Sequence, residues 1–158
     1  MFTLPQGSGK AVEGQSDGNP ILLEDVSNVD FERLLSLFYS ECPGDGDLHT
    51  VEEWASVLNL ATKWEFVVLR DLAIARLSQL ASPVERILLA RSYDVSQWIA
   101  PAYFELCKRD EPLTLGEGER LGMKDVILLS EIRQSIRGNF RVTIQDRNIA
   151  ALIEKKIV

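Results

Sequence analysis

The chain has 158 residues, 46% of them hydrophobic and 26% charged, with a net charge of −7. That is ordinary globular composition at the length of a single domain, so whole-chain disorder is excluded. No apolar run reaches the roughly 18 residues that cross a bilayer, and the opening MFTLPQGSGK lacks a basic stretch ahead of an apolar core, so it does not read as a secretory signal.

Residues 5–20 read as an exposed loop, because QGSGKAVEGQSDGNP holds four glycines and almost nothing apolar. Pro20-Ile21-Leu22-Leu23-Glu24 is apolar and too short for a helix, which predicts a strand. Helix starts then follow at Ser27…Asp30, Thr50…Glu53, Ser82…Glu85, Asp94…Gln97 and Thr114…Glu117. In each pair a short polar side chain at the N-cap accepts from a free amide, and the acid or amide three residues on bonds back. Pro83 stands at a first helical position, where a missing amide costs nothing.

Apolar stripes at helical spacing follow these starts. They are Phe31, Leu34, Leu35 and Phe38; Val51, Trp54, Leu58 and Ala61; and Phe66, Leu69, Ala73, Leu77 and Leu80. Further on come Val84, Ile87 and Leu88; Trp98, Ile99, Ala102, Tyr103 and Leu106; and Val126, Leu129, Ile132 and Ile136, which Gly138 stops. Residues 114–122 predict a short or frayed helix, since Gly116 and Gly118 each cost about 1 kcal/mol against alanine. Phe140-Arg141-Val142-Thr143-Ile144 alternates like a strand, and residues 148–156 suit a last turn or two of helix. The division is a flexible segment 1–19, then 20–80, 81–138 and a tail 139–158. The class is mainly α.

Chemistry is sparse. His49 is the one histidine, and neither serine nor cysteine neighbours it in a nucleophile pattern. It reads as a solvent-exposed loop residue beside an N-cap, not as a base or ligand. Asp45-Gly46-Asp47 starts like a calcium loop, but His49, Thr50 and Ser56 occupy the positions that need an oxygen ligand, glycine and glutamate. Gly7-Ser8-Gly9-Lys10 lacks the earlier glycine, where Leu4 stands, and the following hydroxyl, where Ala11 stands. Gly116-Glu117-Gly118 is flanked by acids that would repel phosphate. Cys42 and Cys107 are 65 positions apart, without zinc spacing, which suits buried thiols in a reducing, intracellular compartment. Trp54, Trp64 and Trp98 fall within helix patterns and read as core. The expectation is no catalysis, no cofactor and no metal.

The charge is uneven. Residues 1–119 carry 9 basic and 20 acidic side chains; residues 120–158 carry 8 and 4. An acidic chain is a poor non-specific nucleic-acid binder, and the basic tail reads as a solvated helix face.

One stretch resembles a known family. Residues 20–39, PILLEDVSNVDFERLLSLFY, are similar to the second half of a BTB/POZ domain, with Ile21, Leu23, Asp25, Val26, Phe31, Leu34, Leu35 and Tyr39 at the matching places. The run from Val57 to Phe66, with Leu69 and Leu77, resembles that family's helix hairpin. Pro83-Val84-Glu85-Arg86-Ile87, Tyr93-Asp94-Val95, Trp98, Pro101 and Tyr103, then Glu111 to Gly122, resemble the fungal type, with Gly116 where an acid is more usual. The opening strands and helices of the complete domain have no counterpart in this sequence.

The resemblance implies the second half of a BTB/POZ fold, one short strand plus helices, followed by a C-terminal helical extension. It implies a non-catalytic protein-interaction module, cytoplasmic or nuclear, with a protein partner such as a cullin and with Tyr39 as a contact. Without the opening elements, the family's homodimer is expected to be weak or absent. Apolar residues of the strand and of the first helix should then be partly uncovered, unless residues 140–144 fold back beside residues 21–23. The alternative function is a chromatin- or DNA-associated regulator that uses the basic tail.

Overall fold

A computed structural model describes residues 13, 14, 16–39, 47–137 and 146–157. The protein is mainly α. Eight α-helices stand among the described residues: α1 Asn28–Tyr39, α2 Val51–Lys63, α3 Val67–Leu80, α4 Pro83–Tyr93, α5 Ile99–Lys108, α6 Leu115–Leu121, α7 Met123–Arg137 and α8 Asp146–Ile157. A 3-10 turn, Ser96–Trp98, leads into α5. No described helix is long and apolar enough to cross a membrane.

Three of the expected caps form complete boxes. Thr50, Ser82 and Thr114 each accept from the amide three residues on, and Glu53, Glu85 and Glu117 each return a bond to the cap backbone. The fourth expectation, a start at Asp94, is overturned. Asp94 lies in the left-handed region at φ 53 and closes α4, with its amide donating to the Ala90 carbonyl. Asparagine and aspartate tolerate that conformation better than most residues. The next helix opens instead through the 3-10 turn, without a side-chain cap.

The strand expected over residues 20–24 is also corrected. Residues 20–23 are irregular and Glu24 and Asp25 form a turn, with Asp25 at φ 55. A strand needs a neighbour for its backbone groups, and the described residues hold only an isolated bridge between Ser16 and Asn19. The Glu24 and Asp25 carbonyls turn to a helix-borne donor: Lys63 Nζ donates to them at 3.0 and 3.3 Å. The strand expected over residues 140–144 lies outside the described residues. The last turn or two of helix suggested over residues 148–156 is part of a longer helix, α8, of 12 residues.

Two cores result. The first joins α1, α2 and α3 around Leu34, Trp54, Leu58, Leu60 and Leu77. The second joins α4, α5, α6, α7 and α8 around Ile87, Tyr103, Leu106, Leu129, Ile132 and Ile153. Helix α4 serves both. Its Ala90 belongs to the first core, and its Val84 and Ile87 belong to the second. Val95 and Trp98 also enter the first core, and Trp98 Nε1 donates to Ser78 Oγ at 2.8 Å. Arg70 Nη2 donates to the Tyr93 carbonyl at 2.9 Å.

Because one helix is shared, the segments on either side of Ser82 cannot separate without exposing buried apolar surface. A single cooperative transition is therefore expected. Tryptophan fluorescence, which reports mainly on the first core, and far-UV circular dichroism should give one coincident urea midpoint. Two resolved midpoints would show that the cores unfold independently.

Candidate interaction surface

Helices α1 and α2 pack together. Phe31, near the start of α1, meets Trp64, just past the end of α2, edge to face at 6.1 Å. Arg33 Nη1 donates to Ser56 Oγ at 2.8 Å, and its Nη2 reaches Glu52 at 3.4 Å. Leu34 is the buried residue of α1, because α1 lies against α2 along one side. The stripe expected to end in Phe38 is not buried along its whole length. Phe38 is 59% exposed and Tyr39 is 82% exposed.

Tyr39, the one binding residue expected from sequence, thus stands at an uncovered aromatic edge at the C-terminal end of α1. A second apolar edge lies at the other end of the same helix pair. Ile21, Leu22 and Leu23 are exposed ahead of α1, and Phe66, Val67 and Val68 are exposed after α2. Trp64 and Phe66 pack edge to face at 5.9 Å, which ties that edge to the aromatic contact with Phe31. A twelve-residue helix sets the two edges about 18 Å apart. Phe66, read as the first residue of the α3 stripe, precedes that helix, and Leu80 at its far end is also exposed.

The other candidates fall elsewhere. His49 is exposed, and its amide donates to Glu53 Oε2 at 2.8 Å. The small cavity beside it, about 170 Å³, is lined by Leu48, Trp54, Arg76, Gln79 and Leu80, with no nucleophile and no carboxylate among them. Cys107 is buried in the second core. Burial pushes its thiol up to about 11 against the opposing charge of Arg133, so it packs as a neutral group and is a poor nucleophile. Cys42 lies outside the described residues. Trp54 and Trp98 are core residues and Trp64 is partly buried. Trp54 Nε1 donates to the Leu48 carbonyl at 3.1 Å.

The most polar interior site was not anticipated from the sequence. Asp125, 2% exposed, accepts from Arg91 Nη1 at 2.5 Å and from Arg91 Nη2 at 2.9 Å. The Tyr103 hydroxyl donates to the same carboxylate at 2.6 Å. Burial alone would raise the Asp125 carboxyl, but the bonds from Arg91 and Tyr103 outweigh it and hold the group below the usual range. Burial, reinforced by Asp125, raises the Tyr103 phenol. Arg91 Nη2 also donates to the Tyr103 hydroxyl at 3.2 Å, so the three side chains are mutually bonded and tie α4, α5 and α7 together. A signal did exist: Asp125, Leu129 and Ile132 share one face of α7, and a carboxylate on an apolar face requires a partner.

Arginines do similar work at the end of α5. Arg109 pairs with both oxygens of Glu117 at 2.8 and 2.9 Å, and this holds the Glu117 carboxyl down to about 2. Arg133 donates to the carbonyls of Leu106, Asp110 and Glu111 at 2.6, 3.2 and 3.0 Å. Arg137 donates to those of Arg109 and Asp110 at 3.1 and 3.2 Å. Arg120 lies 3.6 Å from Glu85. Arg133 and Arg137 thus satisfy carbonyls at and just beyond the end of α5.

Compared with known proteins, the chain matches no family model, no curated protein and no solved structure.

Proposed function

We propose that the protein is a non-catalytic protein-interaction module of BTB/POZ type that engages a partner through the aromatic edge at the end of α1. The observation that carries this reading is the pair Phe38 and Tyr39, exposed at the C-terminal end of a helix that Leu34 anchors in the first core. A rigid aromatic edge loses little conformational entropy on binding, and Tyr and Phe are enriched at interfaces. The interior polar groups are spent on packing, which suits a scaffold. Resemblance to BTB/POZ proteins adds the partner class: an adaptor for a cullin-type ubiquitin ligase. The alternative, a DNA-associated regulator working through the basic tail, draws less support. Arg133 and Arg137 donate to main-chain carbonyls of their own chain, and Arg120 is paired with Glu85.

Isothermal titration against a purified cullin tests the proposal. The wild-type chain is expected to bind, and Tyr39→Ala and Phe38→Ala are each expected to weaken binding by about tenfold. Both side chains are exposed, so the circular dichroism of the variants should match the wild type. No binding by the wild type would remove the cullin assignment. Undiminished binding by both variants would move the contact away from α1.

A further inference from the structure

The junction of α6 and α7 carries a surface that neither the cores nor the α1 edge uses. A concavity of about 450 Å³ opens there, lined by Leu113, Leu115, Gly118, Glu119, Met123 and Val126. Leu115 and Met123 are 80% and 72% exposed, and Ile127 follows on α7 at 52%. Large apolar side chains gathered in this way mark a contact surface.

Glycine gives the second observation. Gly116 and Gly118 both stand in α6, a helix of seven residues, where glycine is less stable than alanine. Neither has the positive φ that would require glycine, and a Cβ would fit at both. At Gly118 it would meet Val126 Cγ2 at 3.5 Å, an ordinary contact; at Gly116 it would meet no described atom within 4 Å. Gly118 lines the groove, so the lining there is bare backbone that packing within the described chain does not demand. Bare backbone lets another chain approach closely.

Charge defines the visitor. Glu119 is the charged residue of the lining. The neighbouring carboxylate of Glu117 is neutralised by Arg109, and the Thr114 hydroxyl is held in its capping box. Lys124 lies outside the lining, where its charge acts on Asp125. An apolar trough between two helices with one acid at its rim suits an amphipathic helix bearing a basic flank.

We propose that the α6–α7 groove binds an amphipathic helix of a partner protein, with apolar anchors over Gly118 and a lysine or arginine beside Glu119. This surface is independent of the α1 edge.

Fluorescence anisotropy with two labelled leucine–alanine peptides tests it, each about 16 residues long so that a helix can persist. One carries lysines on its flanks and the other carries glutamates at the same positions. The lysine peptide is expected to bind the wild-type chain more tightly. Gly118→Leu, which fills the floor, should weaken it by about tenfold or more. Glu119→Lys should transfer the preference to the glutamate peptide. Gly118→Ala should raise the Tm while weakening the lysine peptide, and Tyr39→Ala should leave both affinities unchanged, so that the two surfaces can fail separately. If Gly118→Leu does not fold, the Glu119→Lys exchange decides by itself. Absence of binding, or equal affinity for both peptides in every variant, would overturn the proposal. So would a wild-type self-association that Gly118→Leu abolishes in sedimentation, which would give the groove to a second copy of the chain.

Discussion

Asp125→Ala is expected to lower the unfolding free energy by about 2–4 kcal/mol. Removing one partner of a buried ion pair costs about 3–5 kcal/mol, because the other charge is left uncompensated. The Arg91 side chain, however, is 45% exposed whereas that of Asp125 is 3% exposed. Arg91 can therefore turn partly toward water, which trims the loss. Tyr103 cannot: it is 1% exposed, and its hydroxyl would lose its 2.6 Å acceptor. A buried donor left unpaired costs about 1–3 kcal/mol. Urea unfolding at neutral pH measures the change, and a loss below about 1 kcal/mol would show that the triad is not a principal tie among α4, α5 and α7.

The pH dependence follows from the same carboxylate. Its pKa in the folded chain is held below the ordinary value, so on acidification the unfolded state takes up the proton first. The stabilisation is fully present above the unfolded value, about 3.9 for an aspartate. It is lost as the pH falls through the lower folded value. The stability gap between wild type and Asp125→Ala should therefore narrow in acid below about pH 4.

Helix positions were legible because their signals are local. The Thr50, Ser82 and Thr114 boxes each lie within four residues, and the structure closes all three. The same local signal misled at Asp94. A residue with a short polar side chain can begin a helix or occupy a left-handed position at the end of one, and spacing alone does not separate the two. Residues 20–24 misled for a different reason. A short apolar run suits a strand only where another strand is present, and the partner that Glu24 meets is Lys63, 39 positions beyond it.

The surfaces were only partly legible. Periodicity placed Phe38 on the same stripe as Leu34, since residues four apart share a face, but it could not tell where the neighbouring helix stops covering that face. Phe38 shares the face of Leu34 and is nevertheless 59% exposed one turn further on. The arginine contacts were illegible because each spans elements distant in sequence: Arg91 to Asp125 covers 34 positions and Arg133 to Leu106 covers 27. The groove was half legible, since Gly116 and Gly118 are unexpected in a helix. That an alanine would fit at both is a fact of packing.

Ile153→Ala is expected to destabilise the chain by about 2–4 kcal/mol, the range for truncating a buried isoleucine where the surroundings close only partly over the cavity. Ile149 and Ile153 are each 1% exposed. They lie one turn apart on α8 and enter the second core beside Ala102, Leu106, Leu129 and Ile132. The exposed Glu154 and Lys155 lie on the same helix, so α8 is bound through one face. Twelve residues make a marginal helix in isolation; the helicity of α8 therefore depends on docking against α5 and α7. Two consequences can be measured. Ile149→Ala should cost a similar amount, and the double variant should lose less than the sum, because the two side chains share neighbours. The helical signal of α8 should be lost at the same urea midpoint as the rest, leaving one transition. A loss below about 1 kcal/mol for both single variants, or an early transition carrying about one helix's worth of signal, would make α8 an appendage and leave the second core to α4, α5, α6 and α7.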